Sequence, residues 1–300
     1  MTVGFIGLGH MGGPMCSNLI RAGVPVVVHD LDQHAARAHL SSGATWAQTP
    51  SELAAQVDVL ITMLPGPRQV TAVLLDAGAA AALPPGAVWL DMSTSTPQAA
   101  REVGARLEPR GVHWLDAPVS GMARGAADGT LQIFAGGRRD VYERCQPLLA
   151  VMGDPERTFL VGGHGAGYTV KLMVNLLWFS HLVATAEVLT TGVKAGVDLD
   201  VLRRALVASP ANSHVVENDV LGIVQRGDYD ESFALTLACK DLGLAVDLAR
   251  DVGVPVELSA VIEQIYRRGR AVYGDLAGEM SPVRLYEDLA GVELRVAAGS

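Results

Sequence analysis

Short runs of β-branched and aliphatic residues alternate with amphipathic stretches through the first half of the chain. Val3–Ile6, Val24–His29, Val57–Met63, Ala87–Asp91 and Val112–Ala117 are short and largely apolar on both faces, as strands buried in a sheet are. Between them, residues 11–22, 33–42, 50–56, 68–82 and 97–109 carry apolar positions at helical spacing. Alternating strands and helices predict a parallel, doubly wound α/β sheet. Two further strands are expected at Leu131–Ala135 and Thr158–Val161, flanking a helix near 138–151.

The texture then changes. Val161-Gly-Gly-His-Gly-Ala-Gly167 is a glycine-rich link, and from Tyr168 to Ala195 only Gly192 interrupts a helical pattern. A helix of ~28 residues would span about 42 Å, long for a globular domain. More helices are expected near 198–208, 212–225, 233–252, 256–273 and 282–289, with no strong strand after 165. The boundary falls near 162–167, giving an α/β domain over 1–163 and an all-helical domain over 164–300, joined by the long helix. No repeat of fixed period is present.

Composition narrows the partners. The chain has 300 residues, 49% hydrophobic and 18% charged, with a formal charge of −9. That balance argues against nucleic acid and anionic membrane surfaces, and any anionic ligand must be held by local donors. Val170–Val193 is apolar enough to suggest a membrane span. Lys171, Asn175, His181 and Glu187 within it are costly in a bilayer, so a buried protein helix is the better reading. Cys16, Cys145 and Cys239 are widely spaced and odd in number, which predicts a reducing, cytoplasmic setting without disulfides. Residues 1–9 lack a basic n-region and read as a first strand rather than a signal peptide. The histidines do not cluster with carboxylates at ligand spacing, so no metal site is expected.

Gly7-Leu8-Gly9-His10-Met11-Gly12 follows a strand and opens a helix, the context required of a dinucleotide fingerprint. Gly7 permits the tight turn, Gly9 lets a pyrophosphate approach the backbone, and Gly12 permits close helix–sheet packing. Asp30 ends the second strand 21 residues beyond Gly9, where a carboxylate can accept from ribose hydroxyls and repel a 2′-phosphate. Leu31 follows, where an Arg would bind that phosphate, so NAD is expected rather than NADP. A second reading makes Asp30 or Asp32 a helix cap. Met63-Leu64-Pro65 and Asp91-Met92-Ser93-Thr94 end two further strands, where ligands sit in open α/β sheets. Thr94 is a candidate for the nicotinamide side; Thr96 reads as an N-cap before Pro97.

Three further segments carry candidate chemistry, the first of them suited to a small carboxylate. Ser120-Gly121, before a loop rich in small residues through Gly125 and Gly129, offers a hydroxyl and free N–H groups, or is simply a flexible turn. Lys171 and Asn175 share one helix face among apolar neighbours. A helix start and burial both favour a neutral amine, which equips Lys171 to move a proton; the alternative is a stem lying along the helix edge with its amine in water. Lys240-Asp241 interrupts an apolar run, either reaching towards the cofactor or forming a solvated ion pair.

Together these motifs resemble the β-hydroxyacid dehydrogenase family. Gly4 to Met15 with Asn18-Leu19, Asp116 to Gly121 with Gly125-Ala126 and Gly129, Gly165 to Asn175, and Lys240-Asp241 with Leu244-Ala245 are similar to its four signatures, in order over nearly the whole chain. The resemblance implies a Rossmann domain, a helical domain and a homodimer or homotetramer. It implies Lys171 as catalytic acid/base, Asn175 orienting the substrate, Ser120, Gly121 and Met122 at the substrate carboxylate, and Lys240 by cofactor and substrate. Leu8, His10, Met11, Met63, Leu64, Pro65 and Thr94 would line the NAD site. The expected reaction is hydride transfer between NAD and a small 3-hydroxy acid or its semialdehyde. Met122 stands where the family has a second glycine, a bulkier residue that cannot take positive φ cheaply. Trp178 and Phe179 either narrow the pocket or belong to the core. The rivals are a reductase of an imine or of a sugar acid, and a dinucleotide-binding scaffold without catalysis.

Overall fold

The computed structural model describes residues 1–229 and 233–296. Its strands are β1 Val3–Ile6, β2 Val26–His29, β3 Thr45–Trp46, β4 Val59–Thr62, β5 Val88–Asp91, β6 His113–Asp116, β7 Val119–Ser120, β8 Leu131–Gly137 and β9 Gly153–Gly162. They form one sheet in the order β3-β2-β1-β4-β5-β6-β8-β7, with β9 paired to β8. From β3 to β6 every pairing is parallel, as the alternating pattern predicts. The far side adds an antiparallel element to this parallel sheet, because β8 runs antiparallel to both β6 and β7. Only Ala117 and Pro118 separate β6 from β7, so the two run in the same direction and pair in succession with β8.

Strand register aligns one edge of the sheet. His29 pairs with Ile6, Ile6 with Thr62, Thr62 with Asp91 and Asp91 with Asp116. The carboxyl ends of five parallel strands therefore stop in one row, and the loops after them leave from one edge. Two apolar layers cover the sheet faces: one around Phe5, Met15, Leu19 and Ile61, the other around Ile6, Leu60, Trp89 and Trp114.

Three local differences from the sequence reading have identifiable causes. The helix expected over 68–82 breaks into Pro67–Thr71, a π-turn at Ala72–Asp76 and Ala79–Ala82, because Gly78 adopts φ 75° between them. The segment after Gly121 is a helix, Met122–Asp128, rather than a loop; it ends where Gly129 takes a left-handed conformation. The helix expected over 212–225 carries a π-turn at Val215–Asp219 before Leu221–Arg226.

The long helix runs Ala166–Lys194 and is apolar and long enough to cross a membrane. Its Phe179, Leu182, Val183, Ala186 and Leu189 instead belong to a helical core with Leu235, Leu242 and Tyr266. Around this core lie helices Leu199–Val207, Leu235–Asp251, Glu257–Tyr273 and Ser281–Ala290. Beyond Gly162, the described residues hold no strand, only a lone bridge between Ala234 and Gly278. The chain divides into compact units at Lys171/Leu172, so the first turns of the long helix belong to the α/β unit. The last residues assigned to the helical domain, 297–300, lie outside the described part.

Candidate active site

The fingerprint loop sits between β1 and the first helix, Gly12–Arg21, and its three glycines differ in what they permit. A Cβ on Gly7 would fall 2.2 Å from the Met63 carbonyl oxygen, and Gly7 takes φ 99°. A Cβ on Gly12 would fall 2.0 Å from the Gly7 carbonyl oxygen. Both are fixed by the protein's own packing. Gly9 is different: a Cβ there meets nothing within 4 Å, so its bare backbone faces open space. The first helix has no acidic residue in its first turn and no side chain capping it, leaving its N–H groups and positive dipole end for an anion. This loop fits a dinucleotide pyrophosphate. Asp30 follows β2, accepting the Leu8 N–H at 2.6 Å and the Asp32 N–H at 2.9 Å. The helix-cap role belongs to Asp32, which accepts from the His34 N–H. Leu31 is fully exposed beside it.

The next two loops are joined to each other. Asp91 is fully buried at the end of β5, and its Oδ1 accepts from the Thr62 hydroxyl at 2.8 Å and the Ser93 hydroxyl at 2.6 Å. Ser93 Oγ in turn accepts the Leu64 N–H at 2.9 Å, which fixes the Met63–Pro65 loop against the one carrying half-buried Thr94. Thr96 caps its helix through the Ala99 N–H, as its place before Pro97 predicts.

At the neighbouring strand end, Asp116 turns towards the long helix. Its Oδ1 accepts the Gly165 N–H at 2.7 Å and its Oδ2 the Tyr168 N–H at 3.2 Å, and Gly167 N–H donates to it as well. The long helix has no acid in its own first turn, so a strand-end carboxylate supplies the cap. Close approach requires glycine: a Cβ on Gly167 would fall 2.2 Å from the Phe134 carbonyl oxygen. Burial pushes Asp116 up to about 7 against the pull of those N–H groups, and it raises Asp91 too. One turn beyond Tyr168 stands Lys171, buried at 9% exposure rather than lying out along the helix edge.

Ser120 and Gly121 lie at the end of β7, half-buried and exposed. Asn18 of the first helix donates to the Ala126 carbonyl at 2.9 Å, tying the Met122–Asp128 helix to the fingerprint helix. Met122 is the one non-glycine residue with positive φ among those described, at 57°, and its side chain is exposed. The anticipated conflict at this position is therefore present as backbone strain.

In the helical unit, Asn175 donates through Nδ2 to Oδ2 of Asp241 at 2.7 Å, and Lys240 Nζ lies 2.8 Å from Asp241 Oδ1. Asp241 is buried while Lys240 and Asn175 are half-buried, so the pair is partly withdrawn from water rather than fully solvated. Phe179 is core, packing edge-on against Tyr266, and half-buried Trp178 packs against that core with its Nε1 donating to Asp219. Among the described residues, no three His, Cys, Asp or Glu side chains group to hold a metal ion.

Residues 2–163 match a family model described as the NAD binding domain of 6-phosphogluconate dehydrogenase, and residues 165–286 match one described as the NAD-binding region of NADP-dependent 3-hydroxyisobutyrate dehydrogenase. The chain belongs to the β-hydroxyacid dehydrogenase family. It is 34% identical over 295 residues to 2-(hydroxymethyl)glutarate dehydrogenase of Eubacterium barkeri, covering 98% of this chain and 97% of that protein. It is 36% identical over 272 residues to NAD-dependent L-serine dehydrogenase of Pseudomonas aeruginosa, covering 88% and 91% respectively. Among solved structures it is similar to Mycobacterium tuberculosis 3-hydroxyisobutyrate dehydrogenase with L-serine, at TM-score 0.87 and 32% identity over 95% of this chain and 98% of that one. As a member of this family, the chain is an NAD-dependent oxidoreductase acting on the CH–OH group of a small hydroxy acid.

Sequence reasoning passed over Asp91 and Asp116 as functional side chains, along with Tyr168. Their signal was present as acids at the last position of otherwise apolar strands, and as Gly165-x-Gly167 before a tyrosine.

Proposed function

We propose that this protein interconverts a small 3-hydroxy acid of the 3-hydroxyisobutyrate kind and its semialdehyde, with Lys171 as general acid/base. The observation that carries this reading is the burial of Lys171, on a helix whose first turn is held at the same sheet edge as the Gly7–Gly12, Met63–Pro65 and Thr94 loops. NAD supplies the hydride acceptor in oxidation and the donor in reduction. Lys171, neutral, takes the hydroxyl proton in oxidation and returns it in reduction. Ser120 and the N–H groups around Gly121 and Met122 hold the carboxylate, Asn175 orients the hydroxyl, and Lys240 adds the positive charge that a chain of net −9 must supply locally.

The substrates named for the relatives support the 3-hydroxy pattern. 2-(Hydroxymethyl)glutarate, L-serine and 3-hydroxyisobutyrate each carry a hydroxymethyl group on the carbon bearing a carboxylate. Free, buried Cys16, Cys145 and Cys239 support a cytoplasmic setting. Exposed Met173, Leu177 and Val188 along one side of the long helix support a homodimer or homotetramer.

A spectrophotometric panel of these acids with NAD and NADP tests the reading. NADH formation with a 3-hydroxy acid is expected. Preferential turnover of an imine or a phosphorylated sugar acid, or tight NAD binding with no turnover of any member, would contradict it.

A further inference from the structure

The two oxygens of Asp91 serve different parts of the molecule. Oδ1 takes the Thr62 hydroxyl and both the N–H and hydroxyl of Ser93, and Ser93 holds the Leu64 N–H. Oδ2 takes the Tyr168 hydroxyl at 2.5 Å, from the first turn of the helix carrying Lys171. One fully buried carboxylate thus links the strand-end loops assigned to NAD with the helix assigned to the proton-transfer amine. The link is short and stiff. Tyr168 is fully buried, its own N–H is held by Asp116, and only Thr169 and Val170 separate it from Lys171.

We propose that Asp91 is a positioning residue that registers Lys171 against the cofactor loops through the Tyr168 hydroxyl. Hydride and proton must leave adjacent atoms of one substrate, so the amine must stand at a fixed place relative to the nicotinamide. Backbone packing at Gly167 sets how close the helix comes to the sheet, and Asp116 caps its N–H groups. Neither contact fixes the helix to the Ser93–Leu64 loops; the bond from Tyr168 to Asp91 does. This inference rests on the reading of Lys171 as the acid/base.

Tyr168→Phe tests it, because it removes one oxygen and keeps the buried ring. Three quantities are read on wild type, Tyr168→Phe and Lys171→Ala: kcat, KM for NAD, and, where Lys171 is present, its labelling rate by an amine-acylating reagent followed by peptide mass spectrometry. For a small misplacement of a reacting group, kcat of Tyr168→Phe falls roughly ten- to a hundredfold. KM for NAD stays within about twofold, since the loops keep their bonds to Oδ1, and Lys171 labels several-fold faster. The proposal is overturned if the folded variant, checked by circular dichroism, keeps both wild-type kcat and wild-type labelling. It is equally overturned if KM for NAD rises in step with the fall in kcat, the mark of general loosening. Retained turnover in Lys171→Ala would instead refute the acid/base reading, while the labelling ratio would still decide the registration.

Discussion

The Leu8 N–H donates to Oδ2 of Asp30 at 2.6 Å, joining the fingerprint loop to the carboxylate that ends the neighbouring strand. Asp30 therefore has two tasks: it braces the loop at the pyrophosphate position, and it presents a negative charge where an adenosine 2′-phosphate would lie. Replacing it with alanine while introducing arginine beside it (Asp30→Ala with Leu31→Arg) should raise KM for NAD roughly ten- to a hundredfold, the worth of a charged hydrogen bond. The same change should lower KM for NADP. Steady-state kinetics with both dinucleotides measure the ratio, and an unchanged preference would refute the role of Asp30.

Met122 takes φ 57° immediately after Gly121, a conformation that costs an L-residue about 1–2 kcal/mol. Met122→Gly should relieve that strain, offset in part by the greater freedom of glycine in the unfolded chain. The net expectation is a gain of up to about 1 kcal/mol, or about 2 °C in Tm for a chain of this size. The variant should also accept a different range of side chains on the acid. Calorimetry and the substrate panel check both effects.

Asp116 makes stability depend on pH in a defined direction. Its folded value is pushed up to about 7 from an ordinary 3.8. Between those values the folded chain keeps a proton that the unfolded chain has released, so the residue's contribution to stability falls as pH rises and levels off above about 7. Asp116→Asn removes that slope. Denaturant titrations from about pH 5 to about pH 8 should show wild type losing stability relative to the variant as pH rises; parallel curves would contradict the assignment.

Asp241 holds both Asn175 and Lys240 from a buried position. Asp241→Ala should lower kcat/KM for the acid roughly tenfold or more through lost orientation, and leave KM for NAD less affected. Asp241→Asn retains an acceptor for Asn175 and should recover part of the loss, so comparing the two variants separates orientation of the amide from pairing with Lys240.

Much of this architecture was legible in the sequence because its signals are local. β1 follows from a short apolar run and the long helix from a largely apolar stretch almost free of Gly and Pro, and Gly7, Gly9 and Gly12 announce themselves by spacing. What escaped depended on partners distant in the chain. Thr45–Trp46 and Val119–Ser120 are too short to show periodicity and become strands only by pairing with β2 and β8. Met122–Asp128 contains Gly125 and Asp128, residue types that read as loop, and becomes helix where Asn18 reaches Ala126. Asp91 and Asp116 read as strand ends. Their work appears only once register sets them side by side and the long helix returns 49 residues later to be capped.

The central claim is that Lys171 moves the proton. Its most direct test is single-turnover kinetics of Lys171→Ala beside wild type, with NAD binding measured by fluorescence quenching on the same samples. The hydride-transfer rate should fall roughly 10²–10⁴-fold with NAD affinity unchanged. A folded, NAD-binding Lys171→Ala protein turning over at near the wild-type rate would contradict it.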